Sequence, residues 1–167
     1  MYRSVAEFIE EWNYEAALTQ KVLDALTDES LAQKVSSDNR TLGAIAWHIV
    51  ASTPGMLMEF GLTVKEMKDP NSVPTSAREI AETFRSISSD TSEAVQSQWT
   101  DSSLSEMKNV FGREMPRAAM LSLLIKHIIH HRGQMTVLMR QAGVQVPGVY
   151  GPSKEEWSQM GMEAPTI

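Results

Sequence analysis

Residues 117–141 read RAAMLSLLIKHIIHHRGQMTVLMRQ and hold three of the four histidines of the protein. Apolar residues recur on every side of this stretch, and it contains no acidic residue. Such a pattern predicts a long helix that is buried around most of its circumference. Pro116 suits the first turn of a helix, and Gly143 suits its C-terminal end. We therefore predict a helix that begins at Pro116 or Arg117 and ends near Gly143.

His127 and His131 are four residues apart in this predicted helix. That spacing puts both imidazoles on one face, one turn apart, where they can hold one metal ion together. At about 100° per residue, the face also carries apolar residues and Gln134. His130 points roughly 80° away from its middle. We therefore predict His127 and His131 as metal ligands, His130 as an outer-shell or interface residue, and Gln134 as an outer-shell group.

His48 lies in a second apolar segment, TLGAIAWHIVASTPGMLMEFG, which begins at Thr41. Small residues recur on its predicted face, namely Ala44, Ala51, Ser52 and Gly55. Small side chains leave room beside an imidazole, as a pocket next to a metal ion requires. His48 is therefore the predicted third ligand.

An alternative for these histidines is that they are hydrogen-bonded core residues without a metal. Two buried imidazoles need hydrogen-bond partners. The neighbouring Leu, Ile and Met side chains supply essentially none. A shared metal ion resolves this conflict, and for that reason the spacing favours the metal site.

The rest of the chain predicts an all-α protein. Capping patterns of the form S-x-x-E start at Ser4, Ser76 and Ser153. We predict helices from Ser4 to about Leu26, from Thr41 to Gly61 with a kink or break at 52–54, from Ser76 towards Trp99, and a short last helix after Ser153. No segment shows convincing strand alternation. We predict one domain, residues 1–167, folded as a four-helix bundle with short extra helices in the connections and at the C-terminus.

Composition restricts the function. The net charge is −6 and no cluster of Lys or Arg occurs, which argues against nucleic-acid binding. There is no cysteine, so a transition-metal site must use histidine and carboxylate ligands. No apolar run reaches membrane-spanning length, and the acidic, amphipathic N-terminus does not resemble a signal peptide. We predict a cytoplasmic protein that binds neither nucleic acid nor membranes.

The motif H-x-x-H-H-R-G-Q, residues 127–134, resembles that of the DinB-like, damage-inducible family of bacterial four-helix proteins. Residues 41–48 (TLGAIAWH) and 146–151 (VPGVYG) are similar to two further segments of that family. The resemblance implies a divalent metal ion, zinc or nickel, held by His48, His127 and His131. It also implies a homodimer, and relatives that include thiol transferases and a maleylpyruvate isomerase.

Three functions follow as hypotheses. The first is a metal-dependent enzyme, a thiol S-transferase or hydrolase, that activates a small thiol cosubstrate or water for attack on an electrophile. The second is a metal-binding stress-response protein without catalysis. The third is a structural helical dimer without metal. Arg132 points away from the ligand face, so a salt bridge or interface contact is its predicted role. Trp12, Trp47 and Tyr150 are predicted mainly as packing residues that can also line a pocket.

Overall fold

The computed structural model describes residues 1–110 and 112–166, and helices dominate it. Four long helices form the bundle, and a short helix follows: α1 (Val5–Asp24), α2 (Leu42–Glu59), α3 (Ala77–Gln98), α4 (Arg117–Gln141) and α5 (Lys154–Gln159). Two 3₁₀-helices lie in the connections, Glu29–Ala32 and Asp101–Ser105. The predicted all-α class and four-helix bundle are confirmed.

The predicted helix starts have the hydrogen bonds of N-caps. The Ser4 hydroxyl accepts from the Glu7 amide at 3.1 Å, and the Ser76 hydroxyl accepts from the Glu79 amide at 3.4 Å. Each bond satisfies one amide that the first helical turn leaves without a partner. At the other end of α4, Gly143 has a φ of +73° and the chain leaves the helix there.

The order of packing explains why α4 carries apolar residues on more than one side. Helices α1 and α2 each pack against both α3 and α4. One side of α4 therefore faces α2 and another faces α1. The histidines lie on the side towards α2, while Ile125 and Arg132 are buried on the side towards α1. Cover for this second apolar face comes from within the same chain.

The predicted break in α2 is wrong, because the helix continues through Pro54. Proline removes one backbone hydrogen bond from a helix and favours a kink. Here Thr53, Pro54, Met56 and Leu57 are all buried. Packing on these side chains holds the last turns of α2 in helical form despite the missing bond.

A short β-hairpin was not predicted. Strand β1 (Met107–Val110) pairs antiparallel with β2 (Arg113–Pro116), directly before α4. Val110 is buried, whereas most other residues of the two strands are exposed or half-buried. The hairpin is held to the bundle at its base, where Arg117 pairs with Glu106 at 2.9 Å and lies over the Trp99 ring.

Among the described residues, no helix combines the length and the apolar character needed to cross a lipid bilayer.

Candidate metal centre

The fold brings the three predicted ligands together. His48 from α2 meets His127 and His131 from α4, and one nitrogen of each imidazole lies within 4.8 Å of those of the other two. The ring centroids are 4.5–5.1 Å apart. All three side chains are half-buried, at the edge of the core rather than inside it. On the same face of α4, Met120, Leu124 and Leu138 are fully buried.

Burial makes the three imidazoles poor bases. It lowers the pKa of His127 to about 4, and the neighbouring imidazoles of His131 and His48 add to the effect. Burial also lowers the pKa values of His48 and His131, and the positive charge of Arg40 acts on both in the same direction. Neutral imidazole is the form that binds a metal ion. At neutral pH the cluster is therefore ready to act as a ligand set.

Two neighbouring groups hold the candidate ligands in place. The Ser52 hydroxyl lies 3.0 Å from Nε2 of His127. The Gln134 side-chain oxygen lies 2.7 Å from Nδ1 of His131. Because an amide oxygen only accepts, Nδ1 of His131 must donate, and Nε2 of a neutral His131 then keeps a free lone pair. Gln134 thus orients the His131 ring so that its Nε2 lone pair is free to bind a metal ion.

His130 lies next to this set and outside it. Its ring is exposed, and its Nε2 lies 3.2 Å from the Gln134 amide nitrogen. The amide therefore bridges His130 and His131, whose ring centroids are 4.9 Å apart. This is the placement that helical spacing predicted for His130 and Gln134, while their action as outer-shell groups stays a prediction.

The donor set fits a transition metal. Nitrogen donors at about 2.0–2.1 Å from a tetrahedral zinc ion lie about 3.3 Å from one another. The nitrogens here lie within 4.8 Å of one another, so small side-chain rotations are enough to close them around one ion. Three neutral imidazoles without a fourth protein ligand are typical of open, catalytic metal sites rather than closed, structural ones. The trio could hold a divalent ion and leave coordination positions free.

Two cavities flank the cluster. One, of about 360 Å³, lies beside His48 against the connection between α2 and α3. The other, of about 470 Å³, lies beside His131. Arg40 lines both of them. The sequence did not single out Arg40, since it stands in a polar loop and its closeness to α4 depends on the tertiary fold. Its short distance in sequence from the helix that bears His48 was the one available signal.

Arg132 lies on the opposite side of α4 and forms a buried ion pair with Glu15 of α1. The two charged groups are 2.7 Å apart, and their side chains are 2% and 5% exposed. Arg132 also donates to the Thr19 hydroxyl, and Tyr150 joins the pair by donating to Glu15 and accepting from Arg132. Arg132 therefore has the salt bridge that its position on α4 predicted, within the chain.

The predicted aromatic residues separate into three settings. Trp47 lines the cavity beside His48, and its indole N–H donates to the Pro70 carbonyl at 2.8 Å. Trp12 is fully buried and donates to the Ser88 carbonyl of α3. Tyr150 belongs to the Arg132 ion pair, on the other side of α4. Of these three aromatic residues, Trp47 is the one that shares a cavity with a histidine of the cluster.

Comparison with known proteins shows likeness along nearly the whole chain. The model of the DinB family matches residues 1–164. The uncharacterized protein YrdA of Bacillus subtilis (strain 168) is 48% identical over 167 residues, which is the full length of both chains. A crystal structure of a DinB-like protein from Bacillus cereus ATCC 10987 is 49% identical with a TM-score of 0.86, covering 90% of this chain and 100% of that one.

A second solved structure extends the likeness in fold. The DinB-like protein YjoA of Bacillus subtilis superposes with a TM-score of 0.66 at 20% identity, covering 86% of this chain and 96% of that one. At that identity the likeness concerns the fold alone. The family model and the two relatives near 50% identity carry the assignment, and this chain belongs to the DinB family.

Proposed function

We propose that this protein binds one divalent metal ion through His48, His127 and His131 and uses it to activate a small thiol cosubstrate or water. The observation that carries the proposal is the meeting of three half-buried imidazoles, from two helices, with their nitrogens within 4.8 Å of one another. Their lowered pKa values support it, because protons do not compete for the lone pairs at neutral pH.

Zinc and nickel are the proposed ions. Imidazole nitrogen is a ligand that both metals accept, whereas calcium and magnesium prefer oxygen. The described residues contribute no carboxylate to the cluster. This absence removes the oxygen-rich environment that would favour the harder cations.

The proposed chemistry is S-transfer to an electrophile, or its hydrolysis. A metal ion bound in an open site lowers the pKa of a coordinated thiol or water towards neutrality. The chain has no cysteine, so a thiol nucleophile must come from a cosubstrate. Gln134 orients His131, Ser52 holds His127, and the cavity beside His48 provides space for a small molecule next to the cluster.

A second candidate is a metal ion that joins two helices without catalysis, as in a stress-response protein. The observation that favours it is that the cluster spans α2 and α4, which pack directly against each other. Binding to the folded chain alone would then stabilise the bundle.

A homodimer is proposed as the assembly. On the exposed side of α4, Leu123 is 36% and Val137 is 57% exposed, and a methyl group on Gly133 would meet no atom within 4 Å. An open helix surface with two exposed aliphatic side chains suits contact with a second copy. Light scattering of the wild type and of Val137→Glu tests the proposal. A wild type that is monomeric at micromolar concentration would contradict it.

The test of metal binding is elemental analysis of protein purified without an affinity tag. We expect about one zinc or nickel ion per chain in the wild type and a loss of most of it in His48→Ala. His130→Ala is the matched control, because it removes an imidazole from the same part of the fold but outside the trio, and it should keep its metal. A metal-free wild type would rule out both metal-dependent candidates and leave the structural dimer. Equal metal in His48→Ala and the wild type would rule out His48 as a ligand and with it the proposed site.

Catalysis is tested separately from binding. Conjugation of bacterial thiols to monochlorobimane should be faster with the metal-loaded wild type than with His127→Ala. If the two rates are equal while the wild type holds its metal, the non-catalytic candidate replaces the enzyme.

A further inference from the structure

Arg40 is a cation at the edge of the histidine cluster that has no partner among the described residues. Its side chain is exposed, and it forms no ion pair or hydrogen bond within the described part of the chain. Five of the eight arginines form an ion pair within the described residues, and Arg40 is not among them. An arginine without one, next to two cavities and a candidate metal centre, can bind an anion that arrives from solution.

The backbone holds Arg40 in position. Residues 34 and 41 pair as an antiparallel bridge, and the Leu42 amide donates to the Gln33 carbonyl at 2.8 Å. Thr41, the next residue, caps α2 by accepting from the Ala44 amide at 3.0 Å. The loop that carries Arg40 is thus closed at its base and attached to the helix that bears His48. The side chain of Arg40 is therefore attached to a backbone segment that hydrogen bonds hold in place.

The charges around the two cavities decide where an anion would lie. Beside His131, Asp38 lines the same cavity as Arg40 and offsets its charge. Beside His48, Arg40 is the one charged side chain among the described lining residues. Besides His48, the remaining lining there is neutral or apolar: Ala44, Trp47, Ala51, Ser52, Pro70, Asn71 and Val73. An anion is therefore favoured in the cavity beside His48.

The walls of that cavity are defined on two sides. Helix α2 forms one side, with small residues that leave the space open, and the α2–α3 connection forms the other. The bond from the Trp47 indole to the Pro70 carbonyl holds this connection against the helix. A volume of about 360 Å³ lies in the range of sites for small molecules. His48 and Arg40 both line this space, so a molecule bound there lies beside the candidate metal ligand and the guanidinium.

We propose that the cosubstrate is a small molecule that carries a carboxylate, and that Arg40 binds this carboxylate while the donor group of the molecule reaches the metal ion beside His48. The inference rests on the proposed function and adds the chemical class of its ligand. Arg40 is a specificity-determining residue in this account and takes no part in holding the metal. A guanidinium can form two parallel hydrogen bonds to a carboxylate, which an ammonium or hydroxyl group on the ligand cannot accept in the same way.

The test uses three thiols of similar size that differ in one group: 3-mercaptopropionate, 2-mercaptoethanol and cysteamine. Binding to the zinc-loaded protein is measured by calorimetry, with zinc content checked before and after titration. We expect the wild type to bind the carboxylate thiol more tightly than the other two. Arg40→Gln should weaken that binding about tenfold, as the loss of one charge-assisted hydrogen-bonded pair implies, and leave 2-mercaptoethanol unchanged. Arg40→Lys should retain part of the affinity.

Two controls separate this inference from the proposed function. Arg113→Gln removes an equal charge from a residue that lines neither cavity, and it should bind all three thiols as the wild type does. Zinc content should be the same in Arg40→Gln and in the wild type. Equal binding of 3-mercaptopropionate by these two proteins would overturn the role of Arg40 while the metal site stands. A wild type that binds no zinc would overturn the proposed function, and this inference with it.

Discussion

The buried ion pair between Arg132 and Glu15 gives a sharp prediction for the stability of the bundle. Arg132→Met removes a guanidinium that is 2% exposed and leaves the Glu15 carboxylate, which is 5% exposed, without a cationic partner. Loss of one partner from a buried pair costs about 3–5 kcal/mol, because the other charge stays desolvated. We expect the lower end of this range. The Tyr150 hydroxyl still donates to the carboxylate, and the Thr19 hydroxyl still donates to the Glu15 carbonyl at 2.9 Å.

The expected loss is therefore about 3 kcal/mol of unfolding free energy, or roughly 6–12 °C in Tm for a chain of this size. Urea denaturation followed by circular dichroism at pH 7 measures it, with chelator present so that metal binding does not contribute. The control is Arg78→Met. Arg78 pairs with Glu82 on the surface, with side chains 85% and 55% exposed, and an exposed pair contributes about 0–1 kcal/mol.

A double variant tests the electrostatic reasoning itself. Adding Glu15→Gln to Arg132→Met removes the unpaired charge and should recover more than about 1 kcal/mol of unfolding free energy. A penalty from the unpaired Glu15 charge is ruled out if the unfolding free energy of Arg132→Met lies within about 1 kcal/mol of that of the wild type. It is also ruled out if adding Glu15→Gln recovers no unfolding free energy.

Other predictions concern two glycines and the histidine cluster. Gly43→Ala should lower the unfolding free energy by about 1 kcal/mol, since its new methyl group would lie 3.0 Å from the Leu31 Cβ and 3.2 Å from the Leu31 carbonyl oxygen. The new methyl group of Gly55→Ala meets nothing within 4 Å, so this variant should have an unfolding free energy about 0.5–1 kcal/mol above that of the wild type. Urea titrations in which Gly43→Ala is as stable as Gly55→Ala, or more stable, would contradict these two expectations. In metal-free protein, stability should fall as pH drops from 6.5 towards 4, because unfolded His127 takes up a proton near its ordinary pKa whereas folded His127 does so at about 4. The drop should be smaller in His127→Gln, and parallel pH profiles of the two proteins would contradict this assignment.

Local signals in the sequence predicted most of the fold. The caps at Ser4 and Ser76 and the glycine after α4 are set by a few neighbouring residues, so the pattern and the structure agree there. The break at Pro54 was wrong because burial of the surrounding side chains, which depends on the whole bundle, outweighs the local preference of proline. The hairpin before α4 was missed because each strand has four residues and little apolar alternation.

The residues of the candidate site also differ in whether local sequence signals predicted them. His127 and His131 follow from the period of one helix, and His48 follows from the small residues around it. Arg40 could not be found by these means, because its position depends on how the loop before α2 folds back towards α4. The sequence predicted the face of α4 on which Arg132 lies. It could not predict the buried partner, because Glu15 lies 117 positions away in the chain.

The most direct measurement of the central claim is an anomalous difference map, recorded at the zinc or nickel edge, from crystals of protein purified without an affinity tag. We expect a single strong peak between His48, His127 and His131, at about 2.0–2.1 Å from one nitrogen of each ring, with further density for a non-protein ligand on the side of the cavity. A map without a peak among these three side chains, from protein that contains stoichiometric metal, would contradict it.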